Sequence, residues 1–226
     1  MNTAIILAAG NSRRTRTINK IFYQVKGRPL IFYTILAFEK HPKIKKIILV
    51  SKVANFKKFT SLIKKYKFKK MAAVVEGGKK RQDSSFSGLK MAEKLGAKPG
   101  DLILFHNGCN PLVSWEEINK SVEAAKKFGA ALICQKARDT VKEVKEGFVS
   151  RTVNREKIYL AQTPQTIEYT LAKRAFEKAY KEKFYGTDDV SLVERMGKKV
   201  KSIEGSPKNI KVTYPEDLEL IRAQLK

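Results

Sequence analysis

The chain has 226 residues, of which 42% are hydrophobic and 31% charged, which is typical of a folded protein and excludes a disordered one. The longest apolar runs are far too short to span a bilayer, and the N-terminus lacks the features of a signal peptide, so we expect a cytoplasmic protein. The two cysteines show no CxxC spacing, so we expect neither a disulfide framework nor a zinc site. The formal net charge of +25 indicates anionic partners, which are nucleic acid, a membrane surface or small phosphorylated substrates.

Short apolar runs alternate with longer amphipathic segments along the chain. The predicted strands are 3–8, 45–50, 71–75, 101–106, 130–135, 199–203 and 209–212. The predicted helices are 28–40, 54–66, 82–95, 115–128, 168–183, 187–196 and 215–225. Continuous apolar strands separated by helices indicate an α/β protein with a mostly parallel sheet that is covered by helices on both faces. We expect a single domain over residues 1–226.

Three local patterns refine this organisation. The segment Ser114-Trp115-Glu116-Glu117 predicts a capping box at a helix start. Lysines cover the predicted helix 54–66 above apolar residues at helical spacing, which predicts a basic outer face that either binds anions or, as we favour, is simply solvated. The alternating stretch 137–160 around Glu146-Gly147 predicts a β-hairpin arm that could serve a partner subunit.

Two glycine-containing turns follow predicted strands and could hold a nucleotide. In Leu7-Ala8-Ala9-Gly10-Asn11-Ser12-Arg13-Arg14, small residues let backbone N–H groups approach a phosphate or a base, and the arginines can hold anionic oxygens, although neither GxGxxG nor GxxxxGK[ST] is present. Lys20 adds a further positive charge to the same loop. In the second turn, Gly77 and Gly78 permit tight passage around a planar ligand, and Ser84 offers it a hydroxyl. A plain turn followed by a helix cap explains this second segment equally well.

Four other segments carry candidate residues. Gln162-Thr163-Pro164-Gln165 follows Arg155, and Thr187-Asp188-Asp189 could equally be a helix cap with first-turn acids. Lys211 interrupts the predicted strand 209–212, where a buried lysine is costly unless an anion or an acid meets it. The predicted strand 101–106 ends in His106-Asn107-Gly108-Cys109-Asn110, at the edge where such sheets place their chemistry, yet this tip has no carboxylate.

Taken in order, the motifs resemble those of the 2-C-methyl-D-erythritol 4-phosphate cytidylyltransferases: LAAGNSRR…K, GGKKRQDSS, HNGCNP, ARDTVK, TVNR, TPQ, TDDVSLVE and NIKVTYPEDL. The related ribitol 5-phosphate cytidylyltransferases share much of this pattern. The resemblance implies a Rossmann-like nucleotidyltransferase fold and a homodimer in which a protruding β-arm reaches the partner. It also implies attack by a substrate phosphate oxygen on the α-phosphorus of CTP, which releases pyrophosphate with the assistance of Mg²⁺.

The resemblance also implies roles for individual positions. Nucleotide-binding positions would be Ala8, Ala9, Gly10, Gly77, Gly78 and Ser84. The catalytic cations would be Arg14, Lys20 and Lys211. The sugar-alcohol phosphate would be received by Thr140, Arg155, Thr163 and Lys211, with Arg155 supplied by the arm of the partner subunit.

The sequence departs from the family pattern in the first loop and at the 106–111 tip. Ser12 stands where the family has a second glycine, and Asn19-Lys20-Ile21 stands in place of Pro-Lys-Gln. At the tip, Asn107 replaces a metal-binding aspartate and Asn110 replaces an arginine. Because asparagine keeps an oxygen ligand but loses the negative charge, Asn107 is expected to be a weak ligand for Mg²⁺.

The sequence therefore predicts transfer of a cytidylyl group from CTP to 2-C-methyl-D-erythritol 4-phosphate in isoprenoid precursor synthesis. The first alternative is transfer to ribitol 5-phosphate. The second is a weak or inactive paralogue that binds nucleotide or nucleic acid through its basic surface.

Overall fold

The computed structural model describes residues 1–10 and 19–225. The strands of its main sheet are β1 (Asn2–Leu7), β4 (Ile44–Ser51), β5 (Met71–Glu76), β6 (Leu102–Asn107), β7 (Ala130–Lys136), β10 (Tyr159–Glu168) and β11 (Lys201–Glu204). The remaining strands form two separate pairs, β2 (Gln24–Val25) with β3 (Arg28–Pro29), and β8 (Val141–Lys145) with β9 (Phe148–Val153). The main sheet has the order β11-β7-β10-β6-β1-β4-β5, which places β1 near its centre.

The helices lie on both faces of this sheet, as the sequence predicted. They are α1 (Leu30–Lys40), α2 (Phe56–Tyr66), α3 (Arg81–Lys94), α4 (Trp115–Phe128), α5 (Tyr169–Lys181), α6 (Val190–Glu194) and α7 (Pro215–Gln224). Helices α1, α2, α4 and α7 contribute to one core cluster, and α3, α5 and α6 to the other. Alternate residues of β1 supply the two clusters, because successive side chains of a strand point to opposite faces: Ala4 and Ile6 join the first and Ile5 the second.

Neighbouring strands run parallel throughout, except where β10 lies between β6 and β7 and pairs antiparallel with both. The sequence did not predict β10, because Pro164 and the polar residues around it are typical of a loop. Proline cannot donate a backbone hydrogen bond, and the register between β10 and β7 shifts between Ala161 and Gln165, which accommodates it. The sheet is therefore mostly parallel, with one antiparallel strand in its interior.

The prediction of a strand at 209–212 is wrong. This segment is irregular, and its backbone groups bond locally or to the tip after β6: Ile210 N donates to Lys208 O at 2.8 Å, and Val212 N donates to Cys109 O at 2.9 Å. Lys211 is exposed in this loop. The argument from a buried lysine in a strand therefore does not apply to it.

Several local predictions are confirmed. Ser114 Oγ accepts from Glu117 N at 3.1 Å and Ser114 N donates to Glu117 Oε2 at 2.8 Å, which is the predicted capping box at the start of α4. Strands β8 and β9 form the predicted hairpin, shorter than 137–160, and both turn residues, Glu146 and Gly147, have the positive φ that a tight two-residue turn requires. Within residues 1–10 and 19–225, none of the helices has the length and apolarity that crossing a bilayer requires.

Candidate active site

A cavity of about 710 Å³ opens where β1, β4, β5 and β6 end. Parallel strands bring their carboxyl ends to one edge, and ligands of open α/β sheets bind there. The turns that line the cavity are fixed by backbone bonds that extend the sheet: Ala8 N donates to Val50 O at 2.7 Å, and Gly77 N donates to Ser51 O at 2.9 Å. The positions of these two turns are therefore fixed by the main sheet.

The six predicted nucleotide-binding residues all line this cavity: Ala8, Ala9, Gly10, Gly77, Gly78 and Ser84. The glycines are required by close approach, since a Cβ on Gly77 would lie 2.4 Å from Ala9 Cβ and 2.8 Å from Ser84 Oγ. The first and second turns therefore meet at Gly77. Lys80 N donates to Asp83 Oδ2 at 2.9 Å, so the cap of α3 that the sequence offered as an alternative is present in the same segment.

Six cationic side chains line the same cavity: Lys20, Lys52, Lys79, Lys80, Arg81 and Lys211. Lys20 and Lys211 were predicted, and Lys20 Nζ donates to Val212 O at 2.8 Å, which ties the first loop to the segment that carries Lys211. Arg14 lies outside the described residues. Sequence reasoning assigned no role to Lys52 or Lys79. Lys52 directly follows a predicted strand and Lys79 directly follows the glycine pair, and these positions could have indicated that both lysines line the site.

A buried ion pair supports the cavity wall, and sequence reasoning did not find it. Arg81 Nη2 lies 2.6 Å from Asp189 Oδ2, and the Asp189 side chain is only 1% exposed. Burial by itself lowers the pKa of the Arg81 guanidinium, but the Asp189 carboxylate outweighs burial and raises that pKa above its ordinary value. Gln165 Oε1 accepts from Asp189 N at 2.8 Å, so β10 holds the acidic segment in place.

The neighbouring acid, Asp188, has two structural partners. Its Oδ2 accepts from Gln165 Nε2 at 2.9 Å, and its Oδ1 accepts from Ser191 N at 3.0 Å at the start of α6. The second contact lies at the start of α6, but the predicted arrangement of an N-cap with first-turn acids differs from the structure, because Asp188 and Asp189 precede the first turn of the helix.

The tip after β6 is a network of neutral amides. Asn107 Nδ2 donates to Asn110 Oδ1 at 3.2 Å, and Asn110 Nδ2 donates to Asn209 O at 3.3 Å. His106 is fully buried beneath the tip, and its Nε2 lies 3.0 Å from Asn110 O. Burial, reinforced by the positive charge of Arg81, lowers the pKa of His106 to about 4. The imidazole is therefore neutral at physiological pH.

The described residues at this edge do not provide a metal-binding set. Asn107 lines the cavity, but no Asp or Glu does so among the residues that the structure describes. Throughout those residues, no three His, Cys, Asp or Glu side chains are grouped so that they could hold a metal ion. Asn107 as a weak ligand for Mg²⁺ stays a prediction; Mg²⁺ in proteins is held through carboxylates together with phosphates and waters.

The predicted receptors of the second substrate are not all brought to the cavity. Thr163 is buried beside it, where its Oγ1 accepts from Asn107 N at 3.4 Å. Thr140 and Arg155 are exposed at the base of the hairpin, and Arg155 Nη1 donates to Arg138 O at 2.8 Å. Neither lines the cavity of its own chain.

The comparisons with known proteins agree with this geometry. The profile of the family IspD, 2-C-methyl-D-erythritol 4-phosphate cytidylyltransferase, matches residues 2–226. The chain belongs to this family. Proteins named 2-C-methyl-D-erythritol 4-phosphate cytidylyltransferase are similar to it over nearly their full length: that of Bacillus licheniformis is 39% identical, covering 100% of this chain and 96% of the relative, and that of Clostridioides difficile is 40% identical, covering 97% and 92%.

Solved structures of the family share the fold. The 4-diphosphocytidyl-2C-methyl-D-erythritol synthase of Anaerococcus prevotii superposes with a TM-score of 0.83 at 32% identity, covering 98% of this chain and 94% of that one. The cytidylyltransferase of Francisella tularensis superposes with a TM-score of 0.84 at 29% identity, covering 99% of each chain. The chain is thus a nucleotidyltransferase of Rossmann-like fold, and its family favours methylerythritol phosphate over ribitol phosphate as the substrate.

Proposed function

We propose that the protein transfers the cytidylyl group of CTP to 2-C-methyl-D-erythritol 4-phosphate, as the names of its family and relatives indicate. An oxygen of the substrate phosphate forms a bond to the α-phosphorus of CTP, the bond from that phosphorus to the bridging oxygen breaks, and pyrophosphate leaves with the electron pair. The observation that carries the proposal is one cavity in which two small-residue turns meet and six cationic side chains converge. Transfer at phosphorus needs positioning and charge stabilisation more than a nucleophilic side chain.

The nucleotide is proposed to lie on the two turns. Gly77 and Gly78 give the cytosine and ribose a surface without side chains, and Ser84 presents a hydroxyl beside them. Ala8, Ala9 and Gly10 leave room for the phosphates to approach the backbone. In this proposal Arg14, Lys20 and Lys211 stabilise the negative charge that develops on phosphorus and on the leaving pyrophosphate.

The second substrate is proposed to bind between Lys211 and Thr163 of one subunit and the hairpin of a second copy of the chain. This arrangement gives Thr140 and Arg155 a role that they cannot have in their own chain, because neither lines its cavity. The hairpin exposes large apolar side chains, with Phe148 79% exposed and Val149 62% exposed, and burial against a second copy would remove them from water. A divalent cation is expected to accompany CTP as a complex with its phosphates.

The deciding experiment measures pyrophosphate release with CTP and a panel of polyol phosphates. We expect release with methylerythritol phosphate and a fall of about 100-fold or more in kcat/KM in Lys20→Met and Lys211→Met, because each removes a cation from the reacting phosphates. Lys57→Met, which removes an exposed lysine on α2 outside the cavity, is the matched control and should retain the rate. Release with ribitol phosphate but not with methylerythritol phosphate would replace the proposed substrate.

A further inference from the structure

The charged side chains that line the cavity, among the described residues, are all positive. Its described lining carries six cations and no carboxylate. The segment that the structure does not describe within the first loop cannot change this balance, because the first acidic residue of the whole chain is Glu39. From Lys40 to Val75, which includes Lys52, the chain has lysines but again no Asp or Glu.

Three acids near the cavity wall, Asp83, Asp188 and Asp189, already have partners. Asp189 lies against the Arg81 guanidinium at 2.6 Å. Asp83 accepts from Lys80 N at 2.9 Å and from the Tyr180 hydroxyl at 2.7 Å. Asp188 accepts from Gln165 and from the start of α6. A divalent cation that entered the cavity alone would therefore meet the neutral side-chain oxygens of Asn107 and Ser84, no carboxylate among the described lining residues, and the repulsion of the cationic side chains.

From this donor set we propose that the protein does not hold a divalent cation of its own. The ion enters and leaves only as a complex with the nucleotide phosphates. Lys52 and Lys79 supply part of the charge neutralisation that an ion held by the protein would give. The inference rests on the proposed function, because it takes CTP as the ligand of the cavity. It assigns a role to two lysines that the sequence analysis did not single out. Lys52 follows the end of β4 and Lys79 follows the glycine pair, so they reach the cavity from two neighbouring strand ends.

Lys52 and Lys79 are suited to this role by their surroundings. Among the residues described, neither forms an ion pair with a carboxylate, whereas Arg81 is paired with Asp189. Lys80 differs again, because its ammonium lies 3.4 Å from the centre of the Tyr185 ring. Lys52 and Lys79 therefore bring positive charge that no described acid neutralises before a polyphosphate binds.

The first test measures metal binding without nucleotide. Electron paramagnetic resonance of Mn²⁺ titrated with the full-length protein is expected to show the signal of the free ion unchanged. Addition of CTP is then expected to quench that signal as a ternary complex forms. Quenching by the wild-type protein alone, at protein concentrations near those that bind CTP, would overturn the inference, because it would show a resident metal site.

The second test compares CTP affinity by calorimetry in Mg²⁺ and in EDTA. For the wild type we expect chelation to weaken binding by less than about 10-fold, since the cationic lining remains. In Asn107→Asp, a carboxylate faces the phosphates without a neutralising ion, and we expect chelation to weaken binding at least 10 times more than it does in the wild type. Asn119→Asp, which makes the same charge change on α4 outside the cavity, should behave as the wild type.

The lysines are tested in the same pair of buffers. Lys52→Met and Lys79→Met are each expected to lose several-fold more CTP affinity in EDTA than in Mg²⁺, whereas Lys57→Met should lose little in either buffer. Equal losses in both buffers would contradict the role of the two lysines. A wild-type affinity that falls by about 10-fold or more on chelation would contradict the inference as a whole while leaving the proposed reaction intact. Absence of CTP binding in both buffers would instead contradict the proposed function, and the inference with it.

Discussion

The guanidinium of Arg81 lies 2.6 Å from the carboxylate of Asp189, which joins the start of α3 to the segment just before α6 across 108 positions of the chain. Arg81 lines the cavity and Asp189 lies behind it, so the pair fixes a cationic side chain at the cavity wall. Gln165 in turn accepts from the backbone N–H groups of Asp189 and Val190. The antiparallel strand β10 therefore positions a charge that lines the cavity.

Removal of the Asp189 charge should destabilise the protein. Asp189→Asn leaves the largely buried Arg81 guanidinium without its anion, and we expect the unfolding free energy to fall by about 3 kcal/mol. This value lies at the lower end of the range for broken buried ion pairs, because the Arg81 side chain is 29% exposed. Urea denaturation measures the change. Glu123→Gln breaks the exposed pair with Lys43 and should lower the unfolding free energy far less, because solvent screens that pair. Equal costs for the two variants would contradict the structural role given to Asp189.

Gly77 should be essential for nucleotide binding. In Gly77→Ala the added Cβ lies 2.4 Å from Ala9 Cβ, so the two turns must move apart, and we expect CTP affinity to fall by about 10-fold or more. Gly88→Ala is the comparison, because its Cβ would meet Ile5 Cγ2 in the core at 2.4 Å and should lower stability by about 1 to 3 kcal/mol. Calorimetry and urea denaturation of both variants separate the effects. Intact CTP binding in Gly77→Ala would show that the nucleotide does not use this junction.

His106 should make stability depend on pH below neutrality. Its pKa is about 4 in the folded protein against an ordinary value of 6.5, so between these values the unfolded chain binds more protons. The unfolding free energy should therefore fall as the pH is lowered from 6.5 to 4, by up to about 3 kcal/mol from this residue, with no contribution above pH 6.5. His41, whose pKa is also lowered by burial, acts in the same direction.

The measurement is urea denaturation at a series of pH values between 4 and 7 for the wild type and for His106→Gln. The variant should show a shallower fall, because glutamine does not titrate, whatever its stability at pH 7. His41→Gln provides the matched comparison at the second buried histidine. An identical fall in the wild type and in His106→Gln would contradict the assignment of a neutral, buried imidazole beneath the tip.

The hairpin should determine the oligomeric state. Phe148 stands next to the hairpin turn and is 79% exposed, and its replacement in Phe148→Ser removes apolar area from the proposed contact with a second copy. We expect the dissociation constant of the dimer to rise by about 10-fold or more in sedimentation experiments. Phe128→Ser changes a phenylalanine on α4 that is 49% exposed and should leave the dimer unchanged. A wild-type monomer, or an unaffected dimer in Phe148→Ser, would contradict this role of the hairpin.

Local patterns were sufficient to predict most elements of the fold. Six of the seven predicted strands and all seven predicted helices are present, with small shifts of their ends. They could be predicted because the spacing of the apolar residues indicates which face of each element is buried. The strand β10 was missed, since its hydrogen bonds come from β6 and β7 and not from its own composition. The segment 209–212 was assigned as a strand on composition, although the fold offers it no strand as a neighbour.

The sequence by itself determined the α/β class, the glycine pair and its cationic neighbours, and the absence of a carboxylate from the tip His106-Asn107-Gly108-Cys109-Asn110, because each is a property of residues adjacent in the chain. Only the tertiary structure decided which of these residues share a cavity. The ion pair of Arg81 with Asp189 and the contact of Gly77 with Ala9 join segments far apart in sequence, whose distance is set by strand order. The separation of Thr140 and Arg155 from the cavity likewise follows from where the hairpin leaves the sheet.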